Sequence, residues 1–149
     1  MNKQLIQRWI DTLRSGKYQQ GSTVLRTTDD KFCCLGVLCD IAKESVSLDW
    51  ELEESDDLSY LIGNTCTVLP PDMVNELGSI TIDERVIIVK SNSKLQEYLG
   101  DQTDDLKTHT TLVALNDYYH LSFDQIADIL EEEFLLSGTI NENTATNVA

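Results

Sequence analysis

Phe32-Cys33-Cys34-Leu35-Gly36-Val37-Leu38-Cys39-Asp40-Ile41-Ala42 is the most apolar run in the chain, and its reading decides the fold. Phe32 and Cys33 read as the end of a strand. Leu35, Leu38, Cys39 and Ala42 then recur on one helical face. The run is therefore a short strand leading into a buried helix. Gly36 lies inside that helix, where it costs about 1 kcal/mol against Ala. Its presence predicts that another segment packs closely there.

Upstream, Leu5, Ile6, Trp9, Ile10 and Leu13 recur at helical spacing, so residues 3–15 read as an amphipathic helix. Arg14 suits its last turn and Gly16 its left-handed terminus. Tyr18 to Arg26 reads as extended, with Thr23, Val24 and Leu25 favouring a strand. Thr27-Thr28-Asp29-Asp30 is a turn signal, so Val24 to Cys34 reads as a hairpin.

Downstream, residues 44–59 read as an exposed acidic loop with a few anchoring side chains. Thr65 to Leu69 is β-like, Pro70-Pro71 ends it, and Asp72 to Leu77 forms a short helix closed by Gly78. Arg85 to Val89 reads as a strand. Asn92 to Asp105 is a polar connection with one helical turn around Leu95 to Leu99. Thr110 to Leu115 is a helix that stops near Asn116-Asp117. Ser122-Phe123-Asp124-Gln125 matches a capping box, and Phe123, Ile126, Ala127, Leu130 and Phe134 line one face of the last helix. Trp9, Leu13, Leu38 and Ile126 should share one core.

These elements predict a small α+β domain over residues 1–136, with about four helices packed on a short, mostly antiparallel sheet. Residues 137–149 carry no pattern and read as a flexible tail. The chain has 149 residues, of which 41% are hydrophobic and 25% charged. A single domain of that size removes about 70% of its surface from water, enough for a core without disulfides or metals.

The charge balance narrows the partners. Twenty-six acids face eleven Lys and Arg, a formal charge of −15. Direct nucleic-acid binding draws on Lys and Arg, so this surface disfavours it, and it disfavours anionic membranes too. Met1 to Trp9 has no apolar leader pattern and no window suits a membrane span, which predicts a cytoplasmic protein. Cys33, Cys34, Cys39 and Cys66 then read as reduced thiols.

The motifs for chemistry are sparse. Cys33, Cys34 and Cys39 form no CxxC pair, and His109 and His120 lie far from them in sequence, so no metal site is expected. A cysteine thiolate paired with His109 or His120 is a looser alternative. No Gly-rich phosphate loop or other cofactor motif occurs, so no cofactor is expected.

In this order, Trp9-x3-Leu13-Arg14-Ser15-Gly16-x-Tyr18-x-Gln20, the run Phe32 to Asp40, Leu69-Pro70-Pro71, Leu115-Asn116-Asp117 and Phe123-x2-Ile126-Ala127-Asp128 resemble a family of small, mostly uncharacterised bacteriophage and prophage proteins. The resemblance spans most of residues 5–134, and Cys33 to Cys39 is its most specific part. It implies a phage accessory protein acting in the host bacterial cytoplasm and carries over no catalytic residue. Tyr118-Tyr119-His120 departs from the shorter, Gly-containing turn expected there.

Three functions follow as expectations. The first is a non-catalytic inhibitor of a host defence protein. It would occupy a basic surface with nucleic-acid-mimicking acids, through Asp49, Trp50, Glu51, Glu53, Glu54, Asp56 and Asp57. The second is a binder that sequesters a nucleotide-like small molecule, using Trp9, Tyr18, Gln20 and Arg26. The third is a small Cys/His hydrolase. A homodimer is also compatible with the sequence.

Overall fold

The computed structural model describes residues 2–53, 59–78, 82–83, 86–90, 93–100 and 109–136. Helix α1, Lys3–Arg14, follows from its apolar stripe: Leu5, Ile6, Trp9, Ile10 and Leu13 are all buried. The Asn2 side chain caps it by accepting the Leu5 N–H at 3.0 Å. Gly16 closes it at φ 77°, a left-handed backbone that suits glycine.

Strand β1, Gln19–Gln20, pairs in parallel with β2, Lys31–Phe32. The expected strand at Thr23, Val24 and Leu25 does not form. Thr23 turns to φ 80°. Leu25 donates its N–H to the Cys66 carbonyl at 2.7 Å and accepts the Cys33 N–H at 3.2 Å. Leu25 is thus a crossing point between two segments, and no continuous ladder is left for its neighbours. The turn at Thr27 to Asp30 is present, with Asp30 N–H bonded to the Thr27 carbonyl at 3.0 Å. The expected hairpin shrinks to a bridge between Arg26 and Phe32.

Helix α2, Cys34–Ala42, is buried almost all round, as its composition requires. A Cβ on Gly36 would stand 1.8 Å from the Leu25 carbonyl oxygen. The close approach expected at this glycine is therefore real, and the neighbour is backbone.

Within the acidic stretch, β3, Trp50–Leu52, pairs antiparallel with β4, Tyr60–Ile62, where a loop was expected. Thr65 to Leu69 is a series of bends, with one bridge between Ile62 and Thr65, where β structure was expected. Helix α3, Pro71–Leu77, starts on proline and ends at Gly78 with φ 78°. Strands β5 (Ile82–Asp83), β6 (Val86–Lys90) and β7 (His109–Thr111) form an antiparallel sheet. Helix α4, Ser93–Leu99, interrupts that sheet in sequence.

Helix α5, Leu112–Asp117, starts two residues later than expected because Thr111 caps it, accepting the Ala114 N–H at 3.1 Å. Helix α6, Phe123–Leu130, opens on the expected Ser122–Gln125 capping box and continues as a π-helical segment, Glu131–Leu136. The α+β class holds. Six α-helices stand among the described residues instead of about four: the short segments read at Asp72 to Leu77, Leu95 to Leu99 and Thr110 to Leu115 each form an α-helix of six or seven residues. The strands form three small sheets, one of them parallel, instead of one platform.

One hydrophobic cluster runs from Leu5 to Phe134 and contains Trp9, Leu13, Leu38 and Ile126. Helix α1 packs on α6 and α2 across it. Each buried Leu or Ile contributes about 1.5–3 kcal/mol of apolar transfer. Arg14 ties the rim of the α1–α6 contact to Asp128 at 2.6 Å and Glu131 at 3.1 Å. The expected tail at 137–149 lies outside the described residues.

Candidate functional site

Asp40, on the last turn of α2, gathers donors from three segments. The Tyr18 hydroxyl donates to Oδ2, Trp50 Nε1 to Oδ1 at 2.9 Å, and Lys43 Nζ to Oδ1 at 3.1 Å. Partial burial pushes the Asp40 carboxyl up, but these hydrogen bonds outweigh it and hold it below the usual carboxylate range. Burial, then the hydrogen bond to Asp40 and its charge, raise the Tyr18 phenol far above its ordinary value. At neutral pH the hub is an ionised carboxylate held by a neutral phenol, an indole and an ammonium group. It ties Tyr18, Trp50 and the end of α2 together.

The aromatic rings around this hub form a wall. Phe32 meets Tyr18 edge-on at 4.9 Å and Trp50 at 6.1 Å. The Arg26 guanidinium lies 4.1 Å from the Tyr60 ring centre, 5.4 Å from Phe32 and 5.5 Å from Trp50. Its Nη2 also pairs with Asp30 at 2.6 Å. Trp50 is thereby fastened by its N–H and by its face, so the start of β3 is anchored to the core. The outward apolar group of this hairpin is Leu52, 51% exposed. Asp49 and Glu51 beside it are also exposed. Glu51, Leu52, Glu53 and Leu61 line a surface cleft of about 530 Å³.

Of the expected partner-binding residues, Asp49, Trp50, Glu51 and Glu53 come together on this hairpin. Glu54, Asp56 and Asp57 lie outside the described residues. The expected small-molecule set is dispersed. Trp9 is fully buried and donates to the Cys34 carbonyl at 3.0 Å. Tyr18 and Arg26 both contact the Phe32 ring. Gln20 faces elsewhere, donating to Asn116 Oδ1 and the Leu121 carbonyl, both at 2.8 Å.

That second polar node centres on buried Asn116. Its Oδ1 also accepts the Cys34 N–H at 3.3 Å, and its Nδ2 donates to the Gly21 carbonyl at 2.9 Å and to Asp117 at 2.7 Å. It therefore latches β1, the start of α2 and α5 together. Sequence reasoning assigned no role to Asp40, Lys43, Tyr60 or Asn116. Asp40 and Asn116 stand inside the quoted motif segments, and a charged or amide side chain within an apolar run is the signal that marks each.

The thiols divide by burial. Cys33, Cys34 and Cys39 are buried and Cys66 is partly exposed. Burial raises the Cys33 thiol to about 12 and lifts Cys34 and Cys39 well above their ordinary value. None of the three carries appreciable thiolate at neutral pH. His120 is exposed at φ 55°, and His109 lies in β7. Among the described residues, no group of three or more His, Cys, Asp and Glu is placed to share a metal ion. No described helix is long and apolar enough to cross a membrane.

Helix α1 carries a third feature, a surface cleft of about 700 Å³ lined by Arg8, Lys17, Tyr18, Gln4, Gln7 and Asp11. Residues 1–31 hold six Lys and Arg against three acids, a net +3, so the remaining residues carry −18 of the total −15. The excess negative charge therefore lies entirely beyond residue 31.

No curated protein and no solved structure is detectably similar to this chain. A protein family described only as a domain of unknown function matches residues 1–134, the span that holds α1, the Asp40 hub, the Asn116 latch and α6. The chain belongs to that family, DUF8296.

Proposed function

We propose that this chain is a non-catalytic binding protein whose acidic hairpin face docks on a basic surface of another protein. The resemblance of its motif segments to phage and prophage proteins supports a narrower form: an accessory protein that blocks a host defence factor by mimicking nucleic-acid charge. The observation that carries the reading is the β3 strand. It holds exposed Glu51 and half-exposed Leu52, with exposed Asp49 just before it, on a backbone fastened through Trp50. A fixed strand that offers acids on one face and an exposed apolar side chain on the other combines the polar and apolar elements of protein interfaces. The aromatic residues and buried thiols near it are engaged in the scaffold.

The test is charge reversal at Asp49, Glu51 and Glu53, with affinity capture from a bacterial lysate. The variant should keep wild-type folding stability, while association with the captured protein slows and loses its salt dependence. Unchanged association rate and affinity would remove the hairpin from consideration.

A second reading has its own observation. Arg8 and Lys17 form no ion pair among the described residues, and both line the cleft beside α1. In so acidic a chain they favour a small anionic ligand such as a nucleotide. Nucleotides that raise the melting temperature of wild type but not of Arg8→Ala would support that alternative.

A further inference from the structure

Strands β3 and β4 form a two-stranded sheet with unequal edges. The outer edge of β4 is covered: Tyr60 donates its N–H to the Arg26 carbonyl at 3.0 Å, and Ser59 bridges Thr27. The outer edge of β3 is not covered by any described residue. Glu53 donates its N–H to the Ser59 carbonyl at 3.1 Å, and Glu51 stands opposite Leu61. Glu51 and Glu53 therefore occupy the positions that bond to β4, and Trp50 and Leu52 turn their backbone groups the other way. The Asp49 carboxylate takes the Trp50 N–H at 2.8 Å. The Leu52 N–H and the carbonyls of Trp50 and Leu52 remain outward, without a partner among the described residues.

An open edge of this kind is a template for another strand. Its side chains select which strand. Glu51 and Glu53 project on one face and Leu52 on the other, beside the cleft they share with Leu61. An added strand meets acids at alternate positions and an apolar side chain between them. A second copy of this chain would bring the same acids alongside, and like charges across neighbouring strands are destabilising. The net charge of −15 adds to that repulsion.

We propose that the β3 edge binds an extended basic segment of the partner protein by strand addition. Lys or Arg at alternate positions would face Glu51 and Glu53, with an apolar residue over Leu52. This rests on the acidic-face reading above and specifies its mode.

The probe is an eight-residue peptide of alternating Lys and Val, titrated into the full chain and followed by amide NMR. Two peptides of identical charge accompany it, one N-methylated at every Lys and one at every Val. Successive amides of a strand point to opposite sides, so one of the two blocks every edge-facing donor. The parent peptide should bind with a Kd below about 1 mM, and the Leu52 amide should become protected from exchange. One methylated peptide should bind at least roughly ten-fold more weakly, a loss of about 1.4 kcal/mol. Leu52→Pro should abolish binding with little change in melting temperature, because proline is tolerated where the strand N–H faces outward.

Equal binding by all three peptides, or an unprotected Leu52 amide, overturns strand addition and leaves a charge-only contact, under which the acidic-face reading survives. Failure of every peptide to bind overturns it as well. Concentration-dependent dimerisation lost in Leu52→Pro would assign the edge to a second copy and also overturn it. Failure of the acidic-face reading itself shows separately, as unchanged capture by the charge-reversed variant.

Discussion

Gly36→Ala adds one methyl group and should be among the most damaging small substitutions in the chain. The new Cβ would stand 1.8 Å from the Leu25 carbonyl oxygen, 2.7 Å from its carbon and 3.2 Å from Leu25 Cα. Ordinary contact needs well over 3 Å, so α2 and the Leu25 segment must separate by more than an ångström. All the obstructing atoms are backbone, and no side-chain rotation relieves them. Leu25 is held by the Cys66 carbonyl at 2.7 Å and by the Cys33 N–H at 3.2 Å, so separation strains both bonds. Overpacking costs typically about 1–3 kcal/mol, and two weakened hydrogen bonds add about 1 kcal/mol each. Against this, Ala gains about 1 kcal/mol of helix propensity. The balance is a destabilisation of roughly 2–4 kcal/mol, or about 6–12 °C in melting temperature for a 3 kcal/mol loss at this size. Urea unfolding followed by tryptophan fluorescence measures it, since Trp9 is fully buried. A change within about 0.5 kcal/mol, or a gain, would refute the argument that backbone contact selects glycine here.

Asp40→Asn should remove an acid-dependent component of stability. The folded-state carboxyl lies below its unfolded value, so its stabilisation is present above the ordinary carboxylate range and is lost as pH falls through the folded value. Denaturation midpoints from pH 7 to pH 2 should therefore fall less steeply for the variant than for wild type. Asn116→Leu should cost roughly 2–4 kcal/mol by chemical denaturation, because it strands the buried Cys34 N–H and the Gly21 carbonyl. A cost under about 0.5 kcal/mol would mean that water takes over the latch. In the native protein a thiol reagent at pH 7 should label Cys66 first, and Cys33, Cys34 and Cys39 only on unfolding. Native labelling of Cys33 at the rate of Cys66, seen by mass spectrometry, would contradict the burial that sets the thiol chemistry.

The helices were legible where periodicity was long enough to read. The stripe from Leu5 to Leu13 and the Ser122 capping box mark α1 and α6, and Gly36 announced a close neighbour. The strands were far less legible. Residues 50–52 alternate Trp, Glu and Leu within an acidic stretch, and charge density there masked a three-residue pattern. Leu25 has strand propensity, but tertiary contacts use its N–H and C=O separately. Short strands owe their existence to partners distant in sequence, which composition does not reveal. The Asp40 hub joins residues 3 to 22 positions away, and Asn116 reaches 82 to 96 residues back. Each of these side chains could be seen in the sequence; their meeting could not.

The contact between α1 and α6 sets an order of events during synthesis. The apolar stripe of α1 leaves the ribosome more than a hundred residues before Phe123, against whose helix it finally packs. At roughly 5–20 residues per second, that stripe waits about 5–20 s for its cover. Helix α2 is made within that interval and carries the smaller part of the surface on which α1 packs. The early chain can therefore shelter Trp9 against Cys34 and its neighbours, but only provisionally, until the last helix arrives. A nascent chain stalled before residue 123 should accordingly attract chaperones that bind apolar helices, and release them once α6 has emerged.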